Sequence, residues 1–233
     1  MDAKRLIIFD CDGVLVDSEP IALSVLTETL GMSGIAIDEE GAAKRYLGRS
    51  LTTVRSLVRE EYGLQIDDPF LTRMRDLLYA RFSSELRPIH GIQTALDSLE
   101  AAGIAWCVAS SSQIERIALC LSATGMLDRF SPHIFSASMV THGKPAPDLF
   151  LFAANKMGVE PSECLVVEDS PAGILAARAA GMDVLAFTGG SHTGLLAYRD
   201  GLAALMPVQA FDAMENLLHL VAPARRPKDQ PDA

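Results

Sequence analysis

The sequence predicts an α/β protein in which helices cover both faces of a doubly wound, Rossmann-like parallel sheet. Three observations support this fold class: short β-rich apolar runs, helical segments that alternate with them, and polar residues that close several of the runs. Several of the runs are almost continuously apolar, which is typical of parallel strands buried on both faces. A chain of 233 residues is long enough for one such domain with a smaller insert.

Apolar runs with the length of β-strands recur along the chain. They are Leu6 to Asp10, Ala105 to Ser110, His133 to Ala137, Cys164 to Asp169, and Val184 to Thr188. Helical segments lie between the later runs, and two of them end at Gly158 and Gly181, where a glycine commonly terminates a helix. Ser170 followed by Pro171 has the pattern of an N-cap and a first helical residue. This alternation predicts βαβ units and therefore a parallel sheet.

The segment between the first and second runs has helical patterns but no strand pattern. Helices are predicted over Glu19 to Leu30, from about Asp38, over Leu51 to Tyr62, and from Asp68. We therefore expect a helical insert at residues 18–86, within a core of residues 1–17 and 87–221. The proline-rich and charged residues 222–233 are expected to form a disordered tail.

Composition and charge exclude several classes of partner. The net charge of −10 gives no electrostatic support for binding nucleic acid or an anionic membrane. No N-terminal stretch has the length of a signal-peptide core or a membrane span, so we expect a cytoplasmic protein. The four cysteines lack metal-type pairing, and we expect them to be reduced and mostly buried. The expected partner is a small molecule, and the expected state is a monomer or a weak homo-oligomer.

Polar residues close three of the predicted strands. They are Asp10 with Asp12, Ser110 with Ser111, and Glu168 with Asp169. Ligands of open parallel sheets bind outside the carboxyl ends of the strands, so these side chains are expected to meet in one crevice. Lys144, in the loop "HGKPAPD", is expected to join them and to offset part of their negative charge.

A group of carboxylates without a cluster of His or Cys ligands favours Mg²⁺ over softer metals. When few carboxylates bind Mg²⁺, water and substrate phosphate usually complete its coordination shell. This pattern points to phosphoryl transfer, in which catalysis is largely positioning and charge neutralisation. One aspartate can act as a nucleophile and form an aspartyl phosphate, and a second can transfer protons.

Four segments resemble the motifs of the haloacid dehalogenase (HAD) superfamily of phosphatases and phosphomutases, in the same order. They are "FDCDGVLVDSE", "VASSS", "GKPAPDLF" and "VVEDSPAGILAARAAGM". The resemblance covers about residues 4–190, and the inserted helices look like the small cap of that superfamily. It implies that Asp10 is the nucleophile and that Asp12 is the general acid and base. Because the dehalogenase branch lacks the second aspartate, Asp12 favours a phosphate ester over a haloacid.

The resemblance also implies the remaining site residues. Ser110 and Lys144, with the neighbouring Ser111, would hold the phosphoryl oxygens. The implied Mg²⁺ ligands are Asp10, Asp169 and the backbone carbonyl of Asp12, with assistance from Glu168. In the cap, Arg49 and Lys44 are candidates for substrate binding, although a solvated surface role fits Arg49 equally well.

The most similar subgroup contains β-phosphoglucomutase and many sugar-phosphate phosphatases. Two mutase residues are replaced here, a histidine by Ala22 and an arginine by Leu51, so water is the favoured phosphoryl acceptor. The sequence thus predicts a Mg²⁺-dependent phosphatase of a small phosphorylated metabolite, such as a sugar or sugar-acid phosphate. A phosphomutase and a non-catalytic sugar-phosphate sensor remain alternatives.

Other polar features are expected to be structural. The serines after the second strand are predicted to cap the following helix in addition to binding an anion. The loop "TGGSHTG" lacks a nucleotide-binding pattern and is predicted to be a simple connection. His90, His142 and His192 are isolated in sequence, and each is expected to be a loop residue whose hydrogen bonds are satisfied.

Overall fold

The computed structural model describes residues 4–46, 51–194 and 196–221. The strands are β1 (Leu6–Phe9), β2 (Ala105–Ser110), β3 (Ile134–Ser136), β4 (Cys164–Glu168), β5 (Asp183–Phe187) and β6 (Gln209–Phe211). The helices before β2 are α1 (Glu19–Met32), α2 (Glu39–Tyr46), α3 (Leu51–Tyr62), α4 (Asp68–Glu85) and α5 (Ile92–Ala101). Those that follow are α6 (Ile114–Ala123), α7 (Leu127–Phe130), α8 (Asp148–Met157), α9 (Pro171–Ala179), α10 (Leu196–Ala204) and α11 (Leu217–Val221).

All six strands form one parallel sheet in the order β3-β2-β1-β4-β5-β6. The chain winds outward from β1 through β2 to β3, then returns to β4 on the other side of β1. This order confirms the predicted doubly wound α/β fold. It also creates a topological switch point between β1 and β4, where such sheets bind their ligands.

The strands are buried on both faces because alternate residues pack into two different cores. Ile7 and Phe9 of β1 face one apolar cluster, which includes residues of α5 and α6. Leu6 and Ile8 face a second cluster, which includes residues of α8 and α9. All four side chains are completely buried, in agreement with the nearly continuous apolar pattern of the strand.

Helices α1 to α4 form a helical insert, which we define as residues 18–86. The insert has an apolar cluster of its own that includes Leu30, Val58 and Phe70. Its two connections to the core run side by side, since the backbone N–H of Asp17 donates to the carbonyl of Arg87 over 3.0 Å. That this insert is a cap with the boundaries given above stays a prediction.

Two structural expectations were incomplete or wrong. Strand β6 was not predicted, because it has only three residues and two of them are exposed. The serines after β2 do not cap α6 as predicted: the N-cap residue is Gln113, and no side chain makes the capping hydrogen bond.

The expected tail, residues 222–233, lies outside the described residues. Within the described part of the chain, no helix combines the length and apolar character needed to span a bilayer.

Candidate active site

The predicted site residues meet at the carboxyl edge of the sheet, around the switch point. Asp10 directly follows β1, Ser110 ends β2, and Glu168 ends β4. A cavity of about 420 Å³ opens there, lined by Asp10, Asp12, Ser110, Ser111, Lys144, Glu168, Asp169 and others. The parallel register explains the convergence, because Phe9 pairs with both Val108 and Val167 and brings the three strand ends to the same level.

Lys144 is the only lysine or arginine that lines this cavity among the residues that the structure describes. Its Nζ donates to Oδ1 of Asp10 over 2.6 Å, to Oε1 of Glu168 over 2.8 Å, and to the carbonyl of Ala109 over 2.9 Å. Burial alone would lower the pKa of Lys144, but attraction to the two carboxylates raises it above its ordinary value. The side chain is therefore a buried, charged and fully hydrogen-bonded ammonium group.

Three buried carboxylates surround this ammonium group. One ligand oxygen from each of Asp10, Glu168 and Asp169 lies within 4.8 Å of the others. Burial raises the pKa of Asp10 well above its usual range, and repulsion from Glu168 and Asp169 adds to the increase. Burial and the Glu168 carboxylate similarly raise the pKa of Asp169. A single lysine does not balance three carboxylates, so the cluster fits a hard divalent cation.

Not every oxygen of the cluster is equally available to a cation. Glu168 uses Oε1 for Lys144, and its Oε2 accepts hydrogen bonds from the backbone N–H groups of Asp169 and Ser170 and from the Ser170 hydroxyl. By contrast, Oδ2 of Asp10 and Oδ1 of Asp169 have no hydrogen-bond partner among the described residues. These two oxygens are the donors in the cluster that an ion could reach without displacing a hydrogen bond.

The side chain of Asp12 lies apart from the carboxylate cluster. Its Oδ1 accepts hydrogen bonds of 2.7 Å from both the Ser18 hydroxyl and Nη2 of Arg116. Its Oδ2 accepts a hydrogen bond of 2.8 Å from the Ser112 hydroxyl. Burial opposes ionisation of Asp12, but Arg116 and the two serines outweigh it and lower the pKa. Any contribution of Asp12 to a metal site would therefore come from its backbone, as the family resemblance implies.

His192, which was expected to be a loop residue with satisfied hydrogen bonds, lies in the wall of the cavity. The ring is 4% exposed, and its Nε2 lies 2.9 Å from Oδ2 of Asp169. The ring edge also packs against Tyr198, whose hydroxyl donates to the backbone carbonyl of Asp169 over 3.0 Å. Sequence reasoning overlooked Arg116 as well. Both residues lie far in sequence from their carboxylate partners, and no motif indicates these contacts.

The remaining candidates occupy different environments. Ser110 is buried, and its hydroxyl accepts a hydrogen bond of 3.2 Å from the backbone N–H of Ser112. Ser111 is exposed at the mouth of the cavity. Lys44 is paired with Glu40 on the surface of α2, at 2.6 Å. Arg49 lies outside the described residues, so its predicted contact with the substrate stays a prediction.

This fold and site define a member of a known class of hydrolases. The family model for haloacid dehalogenase-like hydrolases matches residues 4–181, and the chain belongs to this family. The match confirms the resemblance that the four motifs suggested.

Characterised relatives cover most of the chain. The 6-phosphogluconate phosphatase of Escherichia coli is 32% identical over 193 residues, which are 82% of this chain and 86% of that protein. Hexitol phosphatase A of the same organism is 32% identical over 187 residues, or 80% and 84% of the two chains. Among solved structures, a haloacid dehalogenase-like protein of unknown function from Agrobacterium tumefaciens superposes with a TM-score of 0.83. It is 36% identical, and the match covers 94% of this chain and 97% of that one.

Proposed function

We propose that this protein is a phosphatase that hydrolyses a small phosphorylated sugar or sugar acid, with Mg²⁺ as its cofactor. The observation that carries the proposal is the buried group of Asp10, Glu168, Asp169 and Lys144 at the switch point of the sheet. Such a group suits phosphoryl transfer, because carboxylates can hold a cation and a lysine can hold phosphoryl oxygens. The substrate class is supported by the activities for which the relatives are named.

Asp10 and Asp169 would hold the ion through their unbonded oxygens, together with the backbone carbonyl of Asp12. Glu168 would assist by keeping Lys144 and the first residues after β4 in position. When bound, the ion would neutralise charge on the phosphoryl group. Ser110 would bind another phosphoryl oxygen, and Lys144 would bind one by exchanging one of its three hydrogen bonds to the protein. Together they would orient the phosphorus for attack.

In the first chemical step, a carboxylate oxygen of Asp10 forms a bond to phosphorus as the bond to the sugar oxygen breaks. Asp12 gives its proton to that oxygen, and the alcohol leaves. The negative charge of a bound phosphoryl group would raise the pKa of Asp12 and favour its protonated form. In the second step, water attacks phosphorus, Asp12 takes its proton, and the bond to Asp10 breaks to release inorganic phosphate.

The helical insert, residues 18–86, would act as a cap that closes over the cavity during the first step and opens for product release. Its separate apolar cluster and its paired connections support movement as a unit. Closure would exclude bulk water while the phosphoryl group is transferred. Arg49 belongs to this insert and would contact the sugar. A cytoplasmic location fits the proposed class of substrates.

The proposal is tested by measuring phosphate release from phosphorylated sugars, sugar acids, polyols and nucleotides, with and without Mg²⁺. We expect Mg²⁺-dependent hydrolysis of a sugar or sugar-acid phosphate, and its abolition in the Asp10→Asn variant. Asp183→Asn is the matched control, because it removes a carboxylate at the opposite edge of the sheet that pairs with the buried Lys4 at 2.8 Å. Unchanged turnover in Asp10→Asn would exclude Asp10 as the nucleophile.

Incubation with β-glucose 1-phosphate, followed for both glucose 6-phosphate and free phosphate, separates the two alternatives. A phosphomutase would convert β-glucose 1-phosphate to glucose 6-phosphate without releasing phosphate. A sensor would bind a phosphorylated sugar without turnover. The replacement of both mutase residues, by Ala22 and Leu51, is the reason to expect free phosphate instead.

A further inference from the structure

Arg116 makes a direct contact with Asp12 that the chemistry described above does not use. It lies on α6, and its Nη2 donates to Oδ1 of Asp12 over 2.7 Å. The guanidinium carbon is 5.3 Å from the ring centroid of Phe82, which belongs to α4 of the helical insert. Arg116 therefore connects three parts of the protein: the loop after β1, helix α6 of the core, and the insert.

The Asp12 carboxylate is held by donors from three separate elements. Ser18 belongs to the start of the insert, Ser112 to the loop after β2, and Arg116 to α6. Both oxygens of the carboxylate are engaged, so its orientation is fixed by tertiary contacts rather than by its own rotamer preference. A group that transfers a proton to a leaving oxygen needs such fixed orientation, because small displacements sharply reduce rate.

A purely structural role explains the Arg116 side chain poorly. Its Nε is buried and has no hydrogen-bond partner among the described residues. A buried donor without a partner lowers stability, so the side chain retains an unfavourable group in order to place Nη2 on Asp12. The Phe82 ring, which is completely buried, packs against the guanidinium and supports it. Because α4 packs on α6, this support depends on the insert being seated on the core.

We propose that Arg116 is a positioning residue that holds the Asp12 carboxylate in line with the leaving-group oxygen. The inference rests on the proposed phosphatase function and deepens it. Arg116 is not among the described residues that line the cavity at Asp10. Its removal should therefore affect reactions that need a proton on the leaving group and spare those that do not.

The test compares two esters whose leaving groups differ in their need for a proton. One ester is an alkyl phosphate, such as the best sugar phosphate from the substrate panel. Its leaving group is a basic alkoxide unless the leaving oxygen receives a proton. The nitrophenolate released from p-nitrophenyl phosphate is stable without a proton. The rate of leaving-group release is measured in a single turnover, which isolates the first step from hydrolysis of the intermediate.

In Arg116→Gln, we expect release from the alkyl ester to fall by about 30-fold or more, since positioned proton transfer contributes about 10²–10⁴-fold. Release from p-nitrophenyl phosphate should fall by about threefold or less. Arg129→Gln is a matched control, because the Arg129 side chain is 21% exposed, compared with 23% for Arg116, and pairs with Asp97 away from the site. In the control variant, the ratio of the two release rates should equal that of the wild type.

Two further variants keep the test decisive. Arg116→Lys retains the charge and one donor, so it should recover part of the lost alkyl rate and serves if the glutamine variant does not fold. In an Asp12→Asn background, Arg116→Gln should cause little additional loss, because the group that it positions is already absent. Equal slowing of both esters in an active enzyme would overturn the inference alone. A wild-type chain that hydrolyses no ester would overturn the proposed function and this inference with it.

Discussion

Lys144 donates a 2.6 Å hydrogen bond to Asp10, and this contact joins the only buried cation at the described centre of the site to its proposed nucleophile. The two residues are far apart in sequence and meet only because the loop before α8 folds over the end of β1. Lys144 also bonds to Glu168, so it balances two carboxylates that are almost completely buried.

Replacing Lys144 with Met should destabilise the protein by about 3–5 kcal/mol at neutral pH, because it leaves buried carboxylates without their cation. Millimolar Mg²⁺ should recover part of the loss by occupying the same cluster. Urea denaturation with and without Mg²⁺ measures both effects. Lys156→Met is the control, since the Lys156 ammonium lies at the surface, 5.4 Å from the Phe152 ring centroid. Equal stability of wild type and Lys144→Met would contradict the role assigned to the buried ammonium.

Gly173→Ala should disturb the site from the first turn of α9. A Cβ at this position would lie 1.7 Å from Oε1 of Glu168, which itself bonds to Lys144. We expect a loss of about 1–3 kcal/mol or more in the free energy of unfolding, and weaker binding of inorganic phosphate. Gly201→Ala is a control within helix α10, because a Cβ at this position would meet no atom of another described segment within 4 Å. This substitution should stabilise the protein by about 0.5–1 kcal/mol. Similar effects of the two substitutions would refute this explanation.

His192 should influence the affinity of the cluster for a divalent ion, because its Nε2 fixes one oxygen of Asp169 at 2.9 Å. His192→Phe keeps the ring packing against Tyr198 and removes the Nε2 contact with Asp169. We expect Mg²⁺ or Mn²⁺ to bind about tenfold more weakly, as is typical when an outer-shell partner is lost. Isothermal titration calorimetry with the metal alone measures this without any turnover. His142→Gln, at an exposed site, should leave the affinity unchanged; an unchanged affinity in His192→Phe would refute the prediction.

The four cysteines are free and buried, as predicted, and their reactivity should reflect burial. Burial raises the pKa of Cys164 from 9.0 to about 11, so its thiolate fraction at pH 8 is about a hundredfold smaller than that of an exposed thiol. A disulfide reagent at pH 8 should modify the native protein slowly. Once urea is added, the reagent should modify all four thiols rapidly. Rapid modification of the native protein would show that these thiols are accessible.

The raised pKa of Cys164 also makes the stability of the protein depend on pH. Below pH 9, Cys164 is protonated in both the folded and the unfolded chain, so its ionisation does not lower the free energy of unfolding. As the pH rises from 9 towards 11, the unfolded chain releases this proton first, and stability should fall by up to about 2–3 kcal/mol. Denaturant titrations across this range should show a shallower decline for Cys164→Ala. An equal decline in both proteins would assign the alkaline loss to other groups.

Much of the fold and the central site could be predicted from the sequence because the signals are local. The continuous apolar pattern of β1 and β4 reports burial on both faces, and polar residues directly after such strands must lie at the carboxyl edge of the sheet. Asp10, Glu168 and Asp169 were therefore expected together before any coordinates, and the structure brings them within 4.8 Å. Strand β6 was missed because its pairing with β5, rather than its own composition, stabilises it.

The sequence by itself determined the fold class, the order of the elements and the residues at the ends of the strands. These depend on hydrophobic periodicity and on short motifs, which each segment carries independently of the rest. Only the tertiary structure decided how each carboxylate is held: Asp12 by Arg116, Asp169 by His192, and Glu168 by the first residues of its own loop. The orientation of a buried side chain depends on which donors surround it, and folding brings most of those donors from distant parts of the chain.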